Sequence, residues 1–93
     1  MNKLLLGICL LFTSPSFASD CRVSKAQYSA LRTGMSYTQA VLVLGCKGDE
    51  LSQSEMAGFV TVMYMWDGSG FGGNMNAMFQ NGRLIAKAQF GLE

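Results

Sequence analysis

Between residues 23 and 45 the chain twice runs from a polar start, through an apolar stripe, to a glycine stop. Ser24-Lys25-Ala26-Gln27 forms a capping box, in which the serine oxygen accepts from the backbone N–H three residues on and the glutamine reaches back, with Val23 and Tyr28 spaced as a hydrophobic staple. Gly34 stands where a C-terminal cap belongs, which predicts a first helix over Lys25 to Thr33. Ser36-Tyr37-Thr38-Gln39 repeats the box, with Met35 and Ala40 as the staple and Gly45 as the stop, and predicts a second helix over Tyr37 to Leu44. Tyr37, Ala40, Val41 and Leu44 share one face of it, and Tyr28 and Leu31 supply the first helix's apolar side. Helices this short do not persist alone, so they need a sheet to lie on.

The second half of the chain changes period. Phe59 to Trp66 is β-branched and aromatic and reads as a strand. A glycine-rich stretch, Asp67 to Gly73, leads into Asn74 to Gln80, and Asn81-Gly82 then joins this segment to Arg83 to Phe90 in the strongest short-range hairpin pattern. A strict two-residue turn pairs Gln80 with Arg83, Phe79 with Leu84, Met78 with Ile85 and Asn76 with Lys87. Met75, Ala77, Phe79, Leu84, Ala86, Ala88 and Phe90 then face the helices, and a mostly polar outer face carries Asn74, Asn76, Met78, Gln80, Arg83, Ile85, Lys87 and Gln89. The Phe59 to Trp66 strand is apolar on both sides. Pairing Trp66 with Asn74 would turn Tyr64 and Trp66 outward beside Met78 and Ile85. Residues Glu50 to Ser54 add an edge strand in the larger version of this sheet, with Glu55 to Gly58 as a turn. The expected fold class is α+β, a helix-loop-helix packed on one face of a three- to four-stranded antiparallel sheet.

At 93 residues the chain has room for one small domain. Its N-terminus has the order of a secretory signal: Lys3, the apolar run Leu4 to Phe12, then Ser16-Phe17-Ala18 as a small-x-small cleavage site. This predicts a cleaved signal peptide over residues 1–18 and a mature domain over residues 19–93, periplasmic or secreted. Asp20 precedes Cys21 and Ile8 precedes Cys9, where lipidation would need a small residue, so no stable membrane anchor is expected. Removal of Cys9 leaves Cys21 and Cys46 as an even pair in an oxidising compartment, which favours one disulfide. Seven Lys+Arg against six Asp+Glu give a formal net charge of +1, with no basic footprint for nucleic acid.

The chain has no histidine, which removes Ser-His-Asp and Cys-His nucleophiles and His-based zinc sites. The carboxylates fall in loops, at strand edges or at termini, with no visible acid and base pair. No enzymatic activity, cofactor or metal is therefore expected. Gly68-Ser69-Gly70-Phe71-Gly72-Gly73 satisfies G-x-G-x-x-G, but it joins strand to strand, so it reads as a mobile hairpin loop and not a nucleotide cradle. Asp67 and Phe71 on it place a charge and an aromatic where a partner's cleft could receive them. Met56, Met63, Met65, Met75 and Met78 gather in the strand half. Thioether clusters select Cu(I), yet Met75 and Met78 point to opposite faces of one strand, and core filling or an adaptable contact surface is the expected role.

The string Tyr28-x-x-Leu31-x-x-Gly34-Met35-Ser36-Tyr37-x-x-Ala40-Val41-x-x-Leu44-Gly45, then Tyr64-x-Trp66, then Phe79-x-Asn81-Gly82-x-Leu84-x-x-Lys87-Ala88-Gln89-x-Gly91-Leu92 resembles one repeat unit of the β-lactamase inhibitory protein family. The helix-loop-helix plus sheet is also similar to the small lipoprotein of the outer-membrane β-barrel assembly machinery. The resemblance implies a non-enzymatic, exported protein-binding domain whose partner is an envelope or secreted protein, in its sharper form an inhibitor of a β-lactamase or other cell-wall enzyme. The alternative is a structural or assembly component of the bacterial envelope. By the same resemblance the contact surface would be Tyr64, Trp66, Met78, Ile85 and Lys87 on the outer sheet face, with Asp67 and Phe71 on the loop. A homodimer across the sheet is the other way to cover such a patch.

Overall fold

The computed structural model describes residues 21–93, and the expected signal peptide over residues 1–18 lies outside the described residues. Two helices, α1 (Lys25–Ala30) and α2 (Tyr37–Leu44), precede four strands, β1 (Asp49–Met56), β2 (Phe59–Asp67), β3 (Asn74–Gln80) and β4 (Arg83–Phe90). The strands form one antiparallel sheet in chain order, a meander.

Both capping boxes form as expected. Ser24 Oγ accepts from the Gln27 N–H and Gln27 Oε1 from the Ser24 N–H, and Ser36 and Gln39 repeat the exchange. Gly45 closes α2 in the left-handed conformation at φ 86°. α1 stops earlier than expected, because Leu31 leaves helical geometry at ψ 139°. Gly34 is therefore not its cap. The Lys87 ammonium takes that role, donating to the carbonyls of Tyr28 and Leu31 at 2.8 and 3.1 Å, 4.3 Å from the Tyr28 ring centroid. A cation suits the partial negative charge at a helix C-terminus.

This placement of Lys87 corrects the expected register. The pairs Gln80 with Arg83 and Phe79 with Leu84 hold, but a bulge follows and Met78 faces Ala86, Ala77 faces Lys87 and Asn76 faces Ala88. The extra residue, Ile85, reverses the parity of everything after it. Lys87 and Gln89 turn to the core side, while Ala86, Ala88 and Phe90 turn away, leaving Phe90 74% exposed. In β2, Trp66 pairs with Met75 and not Asn74, so Tyr64 and Trp66 lie on the core side and Met63 and Met65 on the other.

Val23, Leu31, Ala40, Leu44, Trp66, Met75, Ala77, Phe79, Leu84 and Leu92 form one buried cluster drawn from both helical and sheet segments. Trp66, 2% exposed, is its largest member. The indole N–H donates to the Cys46 carbonyl at 2.9 Å, and a Cβ at Gly48 would lie 2.5 Å from the ring, so the loop after α2 lies flat on the indole. Cys46 is disulfide-bonded to Cys21 across a sequence separation of 25, with Cα atoms 6.1 Å apart. Tyr37 stacks on Tyr64 at 4.5 Å, meets Phe79 edge-on at 5.4 Å, and donates its hydroxyl to the Lys47 carbonyl at 2.7 Å. Burial, then the adjoining Tyr64 and the Glu50 carboxylate, push the Tyr37 phenol above its ordinary pKa.

Four outcomes follow from this core. Replacing both Cys21 and Cys46 by alanine should lower unfolding free energy by about 3 kcal/mol, read as a fall in urea midpoint. Trp66→Ala should cost about 3–5 kcal/mol. Gly48→Ala should also destabilise, since it combines a clash with the indole and a φ of +76°. Above about pH 10 the unfolded chain ionises Tyr37 first and holds fewer protons than the folded one, so stability falls as pH rises until the folded phenol also ionises. Tyr37→Phe should show a shallower alkaline decline in denaturant titrations across that window; an unchanged slope would remove Tyr37 as its source.

Candidate functional site: the sheet face opposite the core

The register defines two rows across the face that points away from the buried cluster. One runs Asp49, Met65, Asn76, Ala88, and the next Ser52, Met63, Met78, Ala86. Thr61 with Gln80 continues the face toward the β1–β2 turn, and Asp67 with Asn74 and Phe90 continues it toward the glycine-rich loop. Its middle is neutral: three methionines, two alanines, serine and asparagine. Met63, Met65, Asn76 and Met78 are each half-buried. Both edge strands add an exposed apolar residue at a bulge, Leu51 in β1 and Ile85 in β4. The hairpin tip beyond, where Ala57 and Gly58 take positive φ, exposes Met56 and Phe59.

The glycine-rich loop is tied down on both sides, which corrects the expectation of a mobile connection. The Gly68 N–H donates to Gly73 O at 2.8 Å, the Ser69 N–H to Val23 O at 2.9 Å, and the Val23 N–H to Asp67 O at 2.9 Å. Ser69 Oγ also donates to Glu93 O at 3.1 Å. Side chains are excluded here: a Cβ at Gly73 would lie 2.6 Å from the Gly91 carbonyl, one at Gly70 2.8 Å from the same atom, and one at Gly68 would overlap Leu92. The glycines thus serve close packing between the chain ends and the loop, and Phe71 stands fully exposed on that platform.

Of the seven expected contact residues, the structure brings Asp67, Met78 and Ile85 to the outer face and leaves Phe71 on the adjoining loop. It does not bring Tyr64, Trp66 or Lys87 there. Tyr64 is sandwiched among Tyr37, Trp66 and Phe79, Trp66 is enclosed, and Lys87 is committed to the end of α1. Met63, Met65 and Phe90 take the vacated positions. No local signal marked them, since the parity of β2 depends on loop geometry and that of Phe90 on the Ile85 bulge. Among the described residues no group of three or more His, Cys, Asp or Glu side chains could hold a metal ion. None of their helices is long and apolar enough to cross a membrane.

Comparison with known proteins matches this arrangement to one family. A solved structure of a candidate β-lactamase inhibitor protein from Streptococcus mutans superposes with a TM-score of 0.68 at 30% sequence identity, covering 84% of this chain and 50% of that one. The chain therefore spans about half the length of that protein. No curated protein matches. Residues 24–93, which include both helices and all four strands, match the family described as β-lactamase inhibitor (BLIP), and the chain belongs to that family.

Proposed function

We propose that this chain is an exported, non-enzymatic inhibitor domain that docks on a β-lactamase or another cell-wall enzyme through the sheet face opposite the core. The observation that carries the reading is the membership of residues 24–93 in a β-lactamase inhibitor family. The uncharged centre of the outer face and the Cys21–Cys46 disulfide agree with it. In this reading the two helices cover one face of the sheet and leave the other to the partner. Met63, Met65 and Met78 supply an adaptable apolar centre, since thioether side chains repack around differently shaped partners. Ile85 and Phe71 supply projecting anchors at the edge and the end of the face, and Asp67 a charge between sheet and loop. Tyr64, Trp66 and Lys87 hold the scaffold and take no part in contact.

The test is a titration of the protein against a panel of β-lactamases and penicillin-binding enzymes, read as residual hydrolysis of a chromogenic substrate and as complex formation by light scattering. At least one enzyme should be inhibited stoichiometrically. Ile85→Asp and Phe71→Ala, both at exposed positions, should each weaken that inhibition by tenfold or more, the effect of losing an anchor worth roughly 2 kcal/mol. Failure to bind any member of the panel, or a stable homodimer broken by Ile85→Asp, would overturn the reading.

A further inference from the structure

The outer face of an antiparallel sheet open to water is ordinarily polar, and here Ser52, Ser54, Thr61, Asn74, Asn76 and Gln80 keep that rule. It breaks at three adjoining positions in the middle of the sheet, and all three are methionine. Met63 and Met78 are direct cross-strand partners. Met65 follows Met63 by two residues on the same face and lies diagonal to Met78. Direct partners place their Cβ atoms about 4.5–5.5 Å apart, and diagonal neighbours about 7–8 Å apart. Three unbranched side chains on such a triangle can turn their sulfurs toward one point above the sheet. Packing does not require methionine here, since branched and aromatic residues are the better strand formers and the core lies on the other side.

Around that triangle the harder groups are the Asp49 carboxylate and the Asn76 amide, which flank Met65 as its cross-strand partners. Ala86 stands opposite Met78 and Ser52 opposite Met63, so small side chains border the triangle. The chain contains no histidine, and the two described cysteines are joined to each other. A neutral set of three thioethers discriminates strongly: it offers nothing to hard or borderline divalent ions and suits a soft monovalent cation.

From this geometry we propose that Met63, Met65 and Met78 form a trithioether site for Cu(I) on the outer face of the sheet. The side chains bind the ion as neutral donors with no proton released and no change of oxidation state. The site is independent of the inhibitor reading, because its occupancy is read on the protein alone, with no enzyme present.

The experiment uses the full chain carrying Cys9→Ser, which leaves thioethers and the Cys21–Cys46 bridge as its only sulfur. Ag(I), a redox-inert analogue of Cu(I), is titrated in while the methionine methyl signals are followed by two-dimensional NMR. One equivalent should shift the methyls of Met63, Met65 and Met78 and leave those of Met35, Met56 and Met75 in place. Competition with bicinchoninate for Cu(I) should then show one ion bound, at least about tenfold weaker binding for each single Met→Leu variant, and none for the triple variant. No shift, or a shift centred on other methionines, overturns the assignment. The methyl map of the unsubstituted sheet decides this even if a leucine variant folds poorly.

Discussion

Two helices of six and eight residues give this sheet little cover, and the molecule depends on how completely the indole of Trp66 is enclosed. A tryptophan carries more apolar surface than any other side chain, together with one N–H that must find a partner once buried. The Cys46 carbonyl supplies that partner, and Gly48 lets the backbone lie against the ring where a side chain would not fit. The same cysteine is bridged to Cys21, two residues before Val23, whose N–H and carbonyl engage Asp67 and Ser69. One side chain thus joins the end of α2, the entry to β1, the end of β2 and the N-terminal segment. The aromatic stack of Tyr37, Tyr64 and Phe79 extends from it along the core.

The second organising feature is the bulge at Ile85. Without it, Lys87 would face solvent and Phe90 the core. With it, the last carbonyls of a very short helix receive an ammonium group, and an aromatic residue moves to the outer face. A six-residue helix has more backbone carbonyls without an intrahelical partner than with one, so an external donor has a large effect on where it can end. The arrangement of the outer face is in this sense set by what the opposite face requires.

Features governed by neighbouring residues were legible in the sequence, and features governed by parity were not. Both capping boxes, the Gly45 stop, the Asn81-Gly82 hairpin and the strand character of Phe59 to Trp66 each depend on a few adjacent side chains, and each is found. The disulfide followed from cysteine count and compartment. By contrast, which side of β2 faces inward depends on the path of the loop between Asp67 and Asn74, where glycines allow many routes. The close approach of Gly73 to Gly91 selects one. Lys87 was misplaced because alternation alone treats a lysine as an outward residue, whereas its long stem crosses the core edge to reach two carbonyls. The outer face was consequently legible as a location but only partly as a list of residues: Asp67, Met78 and Ile85 belong to it, Tyr64, Trp66 and Lys87 do not.

The Cys21–Cys46 bridge encloses both helices and no part of the sheet, since every strand lies after Cys46. The chain therefore divides into a covalent ring followed by an uninterrupted meander of nearest-neighbour hairpins. During vectorial emergence from the N-terminus, both thiols become available before any strand has appeared. In a chain exported as proposed above, an oxidant would meet them while they are still uncovered, and the meander would then form against a ring that is already closed. In the opposite order, the indole of Trp66 would have to settle on a loop still free to wander. The placement of two cysteines ahead of all four strands thus makes the direction of synthesis part of the instruction for assembly.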